Sequence, residues 1–156
     1  MKYLALLMFV LVSLSVGAIG GLATGSSVKT WYPEIIKPSW NPPSWLFGPV
    51  WTALFILIGV SAWRVWLSGQ FWGAPAAIFV VQFIFNLAWS WLFFAQRRPD
   101  LAFLDIVALW LSIVAMLATF WKIDRPAGWL LVPYIMWVSF ASVLNFSIWM
   151  LNRAVR

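Results

Sequence analysis

The chain has 156 residues, 64% of them hydrophobic and 9% charged, with 10 Lys and Arg against 4 Asp and Glu and a mean hydropathy of +0.93. That length sets a single domain, residues 1–156, and so little polar surface excludes a water-soluble fold. Cysteine and histidine are absent, which removes thiolate catalysis, histidine base chemistry and His-ligated zinc or haem.

The charged residues divide the chain into five apolar runs, each long enough for the roughly 20 residues that cross about 30 Å of hydrocarbon. The fifth, between Asp100 and Lys122, is weaker because Asp105 interrupts it. Backbone groups in lipid must be satisfied within each span, so the prediction is an all-α, multi-pass integral membrane bundle. Its five helices are placed at about 2–24, 44–67, 74–95, 99–121 and 126–152.

The first span admits two readings. Lys2 followed by an apolar run fits a cleaved signal peptide, but the run continues to Ala23, beyond the usual 7 to about 15 residues of such a segment. Ser13, Gly17, Gly21 and Gly25 are spaced by four and share one helix face, which suits close packing within the bundle or a dimer seam.

Between the first two spans, residues 31–51 hold four tryptophans and five prolines. Each proline fixes φ and biases the residue before it away from helix, so this long Trp/Pro-rich loop extends neither neighbour. It is also too apolar for a solvated linker and reads as a rigid aromatic cover. The remaining connections are short, and prolines at 75, 99 and 126 sit near helix starts, where a missing N–H costs nothing.

With five spans, Lys29, Lys37, Arg97, Arg98, Arg153 and Arg156 share one side, and Lys2, Arg64, Lys122 and Arg125 the other. The bias places the long loop and the C-terminus in the cytoplasm. The net charge of +6 reads as attraction to anionic headgroups; positive residues scattered over both faces do not indicate nucleic acid.

Polar residues within spans are the candidate functional groups. Gln82, Asn86 and Ser90 form one stripe on the third helix, beside Trp89. Tyr134, Trp137, Ala141, Leu144 and Asn145 form another on the fifth. The two stripes either line a shared cavity or serve as interhelical hydrogen bonds. Asp105, the one acid within a span, is expected to pair with Arg97 or Arg98, or else to move a proton or substrate. Arg64 is expected to snorkel from its helix end, and Trp45, Trp72, Trp121 and Trp129 to form interfacial belts. The acids show no metal-ligand spacing, so neither metal nor resident cofactor is expected. Abundant indole with a few hydrogen-bonding groups suits a large, flat, mostly apolar ligand.

Three sets of residues, 40–52 (Trp-Asn-Pro-Pro-Ser-Trp-Leu-Phe to Val-Trp-Thr), Gln82 with Asn86, Trp89, Phe93 and Phe94, and 132–146 (Val-Pro-Tyr to Leu-Asn-Phe), closely resemble the TspO/MBR translocator protein family. This is the family of tryptophan-rich sensory proteins related to the peripheral benzodiazepine receptor. The resemblance covers essentially the whole chain. It implies a five-helix bundle, usually a homodimer, whose pocket is closed by the long loop and binds porphyrins, including protoporphyrin and haem, and synthetic benzodiazepine-site ligands. The pocket positions it implies are Trp31, Trp40, Trp51, Asn86, Trp89, Trp137, Ala141 and Leu144. Should porphyrin be degraded photochemically, as reported within the family, Trp51 and Trp137 would be the reactive indoles; a sensory scaffold is the third class. Two departures bear on ligand choice. Position 55 is Phe where many relatives have Tyr. Phe146 holds the Tyr position of the sterol motif, with Arg153 too far along, which argues against cholesterol recognition.

Overall fold

The computed structural model describes residues 1–153. Five helices account for nearly all of them: α1 Lys2–Lys29, α2 Ser44–Leu67, α3 Ala74–Ser90, α4 Pro99–Ile123 and α5 Arg125–Asn152. A π turn, Trp91–Ala95, continues α3. All five spans are long and apolar enough to cross a membrane, and the chain is an integral multi-pass membrane protein.

The helices close into a ring in which α1 packs on α2 and α3, α2 on α5, α5 on α4, and α4 on α3. Small residues set the closest approach. A Cβ on Gly59 of α2 would lie 2.7 Å from the Cα of Val10 in α1, so only glycine permits this spacing. The core is Ile58, Ala62 and Val65 of α2, Ile106, Leu109, Ile113 and Met116 of α4, and Leu131, Tyr134 and Val138 of α5. Large apolar residues such as Leu22, Ile84, Leu104 and Val143 point outward, as lipid-facing positions should.

Helix α1 runs past the expected end at 24 to Lys29. Ser27 is buried and its Oγ donates to the carbonyl of Phe94 at 2.7 Å, a tertiary bond that anchors the additional turn. At 28 residues each, α1 and α5 reach about 42 Å and overshoot the hydrocarbon. The shared face of Ser13, Gly17, Gly21 and Gly25 divides. Ser13 is buried and Gly17 abuts Phe55, whereas Gly21 and Gly25 meet nothing, and Gly20 instead approaches Ser90.

One end of the bundle gathers the N-terminus and the α2–α3 and α4–α5 turns. There Trp63 Nε1 donates to the carbonyl of Lys2 at 3.0 Å, and Phe9 packs on Phe71 with ring centroids 5.0 Å apart. Arg64 does not merely snorkel: it forms an ion pair of 3.1 Å with Asp124, which also caps α5 by accepting from the backbone N–H of Ala127. The turn between α4 and α5 folds back beneath the end of α2, and this brings the two charges together. The opposite end gathers the 30–43 loop, the 96–98 turn and the end of α5. Arg156 lies outside the described residues.

Asp105 also departs from expectation. Arg98 pairs with Asp100 at 2.7 Å, while Asp105 Oδ2 is buried with no hydrogen-bond partner. Helix α4 starts at Pro99, so Asp105 stands roughly 9 Å further along the axis, beyond the arginines' convenient reach.

Asp124→Ala removes both a cap and an ion-pair partner. It is expected to destabilise the detergent-solubilised protein by about 1–2 kcal/mol, more than Arg64→Ala, as read from thermal unfolding of both variants.

Candidate functional site

In the loop-side half of the bundle, α1, α2 and α3 enclose a cavity of about 360 Å³. Helix α1 supplies Leu14, Gly17, Gly20 and Gly21, and the three glycines, having no side chains, make the room. Helix α2 contributes Phe47, Trp51 and Phe55, and α3 contributes Asn86, Trp89 and Ser90. Tyr32 closes the loop end. The walls are aromatic faces. Trp51 stacks on Phe55 with centroids 5.7 Å apart and lies 6.3 Å from Trp89, which in turn stacks on Phe93 at 5.5 Å. Position 55, lacking a hydroxyl, presents only hydrocarbon to this space.

Of the eight sequence-predicted residues, Trp51, Asn86 and Trp89 line the cavity. Trp137 lies behind Phe47, 5.9 Å away, and continues through Phe140, at 5.4 Å, to Trp40, 5.8 Å beyond. Trp31 packs edge-on against Phe93 at 5.8 Å. Ala141 and Leu144 are buried in the core of α5. Trp51 and Trp137 therefore do not face one another across an open space. Phe47, one turn before Trp51, stands between the cavity and Trp137, and the loop lies on α5 through Trp40.

The polar stripes of α3 and α5 do meet, as hydrogen bonds across the interior. The hydroxyl of Tyr134 donates to Gln82 Oε1 at 2.8 Å and accepts from Asn86 Nδ2 at 3.2 Å. Gln82 Nε2 donates to the carbonyl of Phe79 at 3.0 Å. Trp89 Nε1 donates to Asn145 Oδ1 at 3.0 Å, and Asn145 Nδ2 donates to the carbonyl of Pro99 at 2.7 Å. Two polar atoms facing this region remain open. Asn86 Oδ1 has no protein donor among the described residues, and Trp137 Nε1 is buried without an acceptor. An unpaired buried donor costs free energy that a ligand acceptor would recover.

Tyr32 was not among the predicted residues. It is buried against Phe47 and Phe94, 6.4 Å and 5.9 Å away, and its hydroxyl donates to Asn41 Oδ1 at 2.7 Å. Burial pushes its pKa up to about 12. The signal was present as a tyrosine beside Trp31 in an aromatic loop, but which of the two adjacent rings turns inward depends on where α1 ends. The π turn that follows Ser90 likewise has no clear sequence mark. Its extra residue turns both Phe93 and Phe94 toward Trp89 and the loop, in line with the frequent use of such turns at functional sites.

A ring of five membrane-spanning helices around an aromatic cavity, with no charged side chain in its lining, defines a multi-pass membrane protein with an apolar pocket. The chain belongs to the TspO/MBR family, whose model matches residues 9–150. It is 43% identical over 143 residues to the tryptophan-rich protein TspO of Chlorobaculum tepidum, covering 89% of this chain and 90% of that one. It is 40% identical over 154 residues to the tryptophan-rich protein TspO of Archaeoglobus fulgidus, covering 97% and 99%. The human translocator protein is 33% identical over 130 residues, covering 81% of this chain and 77% of its own length.

Tyr134→Phe leaves Gln82 and Asn86 without their shared partner and is expected to cost about 1–3 kcal/mol in thermal unfolding, with the helical circular dichroism retained. Tyr32 gives a pH signature. Its folded pKa of about 12 exceeds the unfolded value of roughly 10, so its contribution to loop order is complete below pH 10 and fades between 10 and 12. Phenolate absorbance should show a component titrating near pH 12 that is lost in Tyr32→Phe.

Proposed function

We propose that the protein binds a tetrapyrrole of the protoporphyrin or haem type from the membrane, for sensing or for transport. The observation that carries this reading is the cavity wall itself, in which Trp51, Phe55 and Trp89 offer adjoining ring faces and Asn86 offers one unpaired carbonyl oxygen. A flat conjugated macrocycle gains from stacking and area burial on such faces. Trp137 Nε1 supplies a donor for an acidic or carbonyl substituent. The family's sensory and translocator members support the same class of role.

At about 360 Å³ the cavity is at the small end of the range for ligand sites, so the macrocycle needs added room toward Trp137. Benzodiazepine-site compounds, also flat and aromatic, are expected to compete. In detergent, protoporphyrin should quench tryptophan fluorescence saturably in the micromolar range or tighter. Trp51→Phe or Trp137→Phe should weaken that saturable component by tenfold or more. Linear quenching insensitive to both substitutions would mean partitioning into the micelle and would refute the pocket.

A further inference from the structure

We propose that the rings around the cavity form a one-way route for oxidising equivalents, in which an electron vacancy created at Trp51 passes to Trp89 and leaves at Trp31. The use of such a route rests on the tetrapyrrole reading above, because a tetrapyrrole absorbs visible light and, once excited, takes an electron from a neighbouring indole. The route itself rests on the arrangement of the side chains.

In a chain without cysteine, indoles and phenols are the side chains most easily oxidised by one electron, whereas the benzene ring of Phe resists. Trp51 and Trp89 are in ring contact, with centroids 6.3 Å apart. Trp89 stacks on Phe93 at 5.5 Å, and Phe93 meets Trp31 at 5.8 Å. A single ring therefore separates Trp89 from Trp31, and electrons tunnel across such a gap. Trp31 is half-buried, and its neighbours Lys29, Thr30, Pro33 and Glu34 are exposed, so the route ends at the surface.

The side branches are closed. Tyr134 lies 6.3 Å from Trp51, but a phenol gives up an electron readily only when its proton leaves too. Its O–H is held by the amide oxygen of Gln82, which is not a base. Tyr32 lies 6.4 Å from Phe93, with its O–H likewise held by the amide oxygen of Asn41. Lys37 Nζ also stands 5.1 Å from the centre of the Tyr32 ring, and a cation that is attracted to a neutral ring repels one that has lost an electron. Toward the other end of the bundle, Phe55, Phe83, Phe79 and Phe71 stand in succession between Trp51 and Trp72, with centroids 4.8 to 6.2 Å apart. Four benzene rings insulate that direction.

The vacancy does not settle at Trp89, whose Nε1 donates to the amide oxygen of Asn145 at 3.0 Å and so keeps its proton. The excited macrocycle takes one electron from Trp51 and becomes a radical anion. Trp89 refills Trp51, Trp31 refills Trp89, and oxidised Trp31 releases its N–H proton to water. A soluble thiol or ascorbate-type reductant returns one electron and one proton to Trp31. The macrocycle anion passes its electron to dioxygen, giving superoxide. Ligand and indoles end unchanged, and the net step moves one electron from the reductant to dioxygen and one proton from the reductant to water.

The absence of cysteine allows Thr52→Cys, at the cavity rim, to be labelled alone with a thiol-reactive ruthenium(II) polypyridyl complex that stands in for the tetrapyrrole as photo-oxidant. Illumination in detergent with a cobalt(III) ammine as electron acceptor generates ruthenium(III) there, and peptide mass spectrometry locates oxidised tryptophan. Oxidation at Trp31 is expected to exceed that at Trp51, Trp89 and Trp72 at least tenfold. In Trp31→Phe it should move back to Trp89 and Trp51, rising there at least fivefold. Phe93→Leu, or Trp89→Phe should that variant fail to fold, should lower oxidation at Trp31 at least fivefold. Oxidation at Trp31 that ignores the broken bridge would mean direct attack from outside and would overturn the route, as would product spread evenly over Trp31, Trp51 and Trp72. Under visible light and air, wild type should keep its protoporphyrin-binding capacity at least fivefold longer than Trp31→Phe. Equal loss would overturn the protective use. Failure of protoporphyrin to bind would refute the tetrapyrrole reading and that use with it, and the ruthenium measurement would still decide the route.

Discussion

The structure depends on hydrogen bonds that cross the middle of the bundle from α3 to α5. These helices are not neighbours in the ring, yet Tyr134 reaches Gln82 and Asn86, and Asn145 reaches Trp89 and the first carbonyl of α4. The interior is filled by aliphatic side chains of α2, α4 and α5 together with Tyr134 and Gln82. In hydrocarbon each polar atom of the last two must find a partner within the protein. Tyr134, fully buried, is the strut around which the interior is arranged.

The cavity follows from where that bracing stops. Below it, toward the N-terminal end, α1 and α2 close tightly at Gly59 and the ion pair of Arg64 with Asp124 secures the turns. Above it, glycines along α1 leave the seam with α2 and α3 unfilled, and rings from α2 and α3 form the walls. Trp89 belongs to both regions, with its Nε1 in the bracing network and its indole on the cavity, so the site's geometry is coupled to the stability of the fold. Of the two open polar atoms, Asn86 Oδ1 belongs to a residue that lines the cavity, whereas Trp137 does not line it and packs on Phe47, which does.

The loop turns this partition into a two-part site. Its aromatic residues pack downward on α3 and α5, while its backbone is bonded mainly to itself through Lys37. Such a cover is internally stiff and lies directly over the cavity through Tyr32.

Much of this was legible in the sequence. Charge spacing and hydropathy determined five spans, because a helix in lipid must be long, apolar and internally bonded whatever its neighbours are. The polar stripe Gln82, Asn86, Ser90 was visible as a period of four, and the aromatic, proline-fixed loop as composition. Tertiary structure alone decided the rest. Where α1 ends was set by Ser27 meeting Phe94, and Arg64 found Asp124 only because the α4–α5 turn folds beneath α2. Asp105 lost its expected arginine to the register at which α4 begins. That Trp51 lines the cavity while Trp137 packs on Phe47 outside the lining was decided by how α2 and α5 pack. Periodicity fixes which face a residue occupies, but the side chain opposite it is set by helix packing, and that involves every element at once.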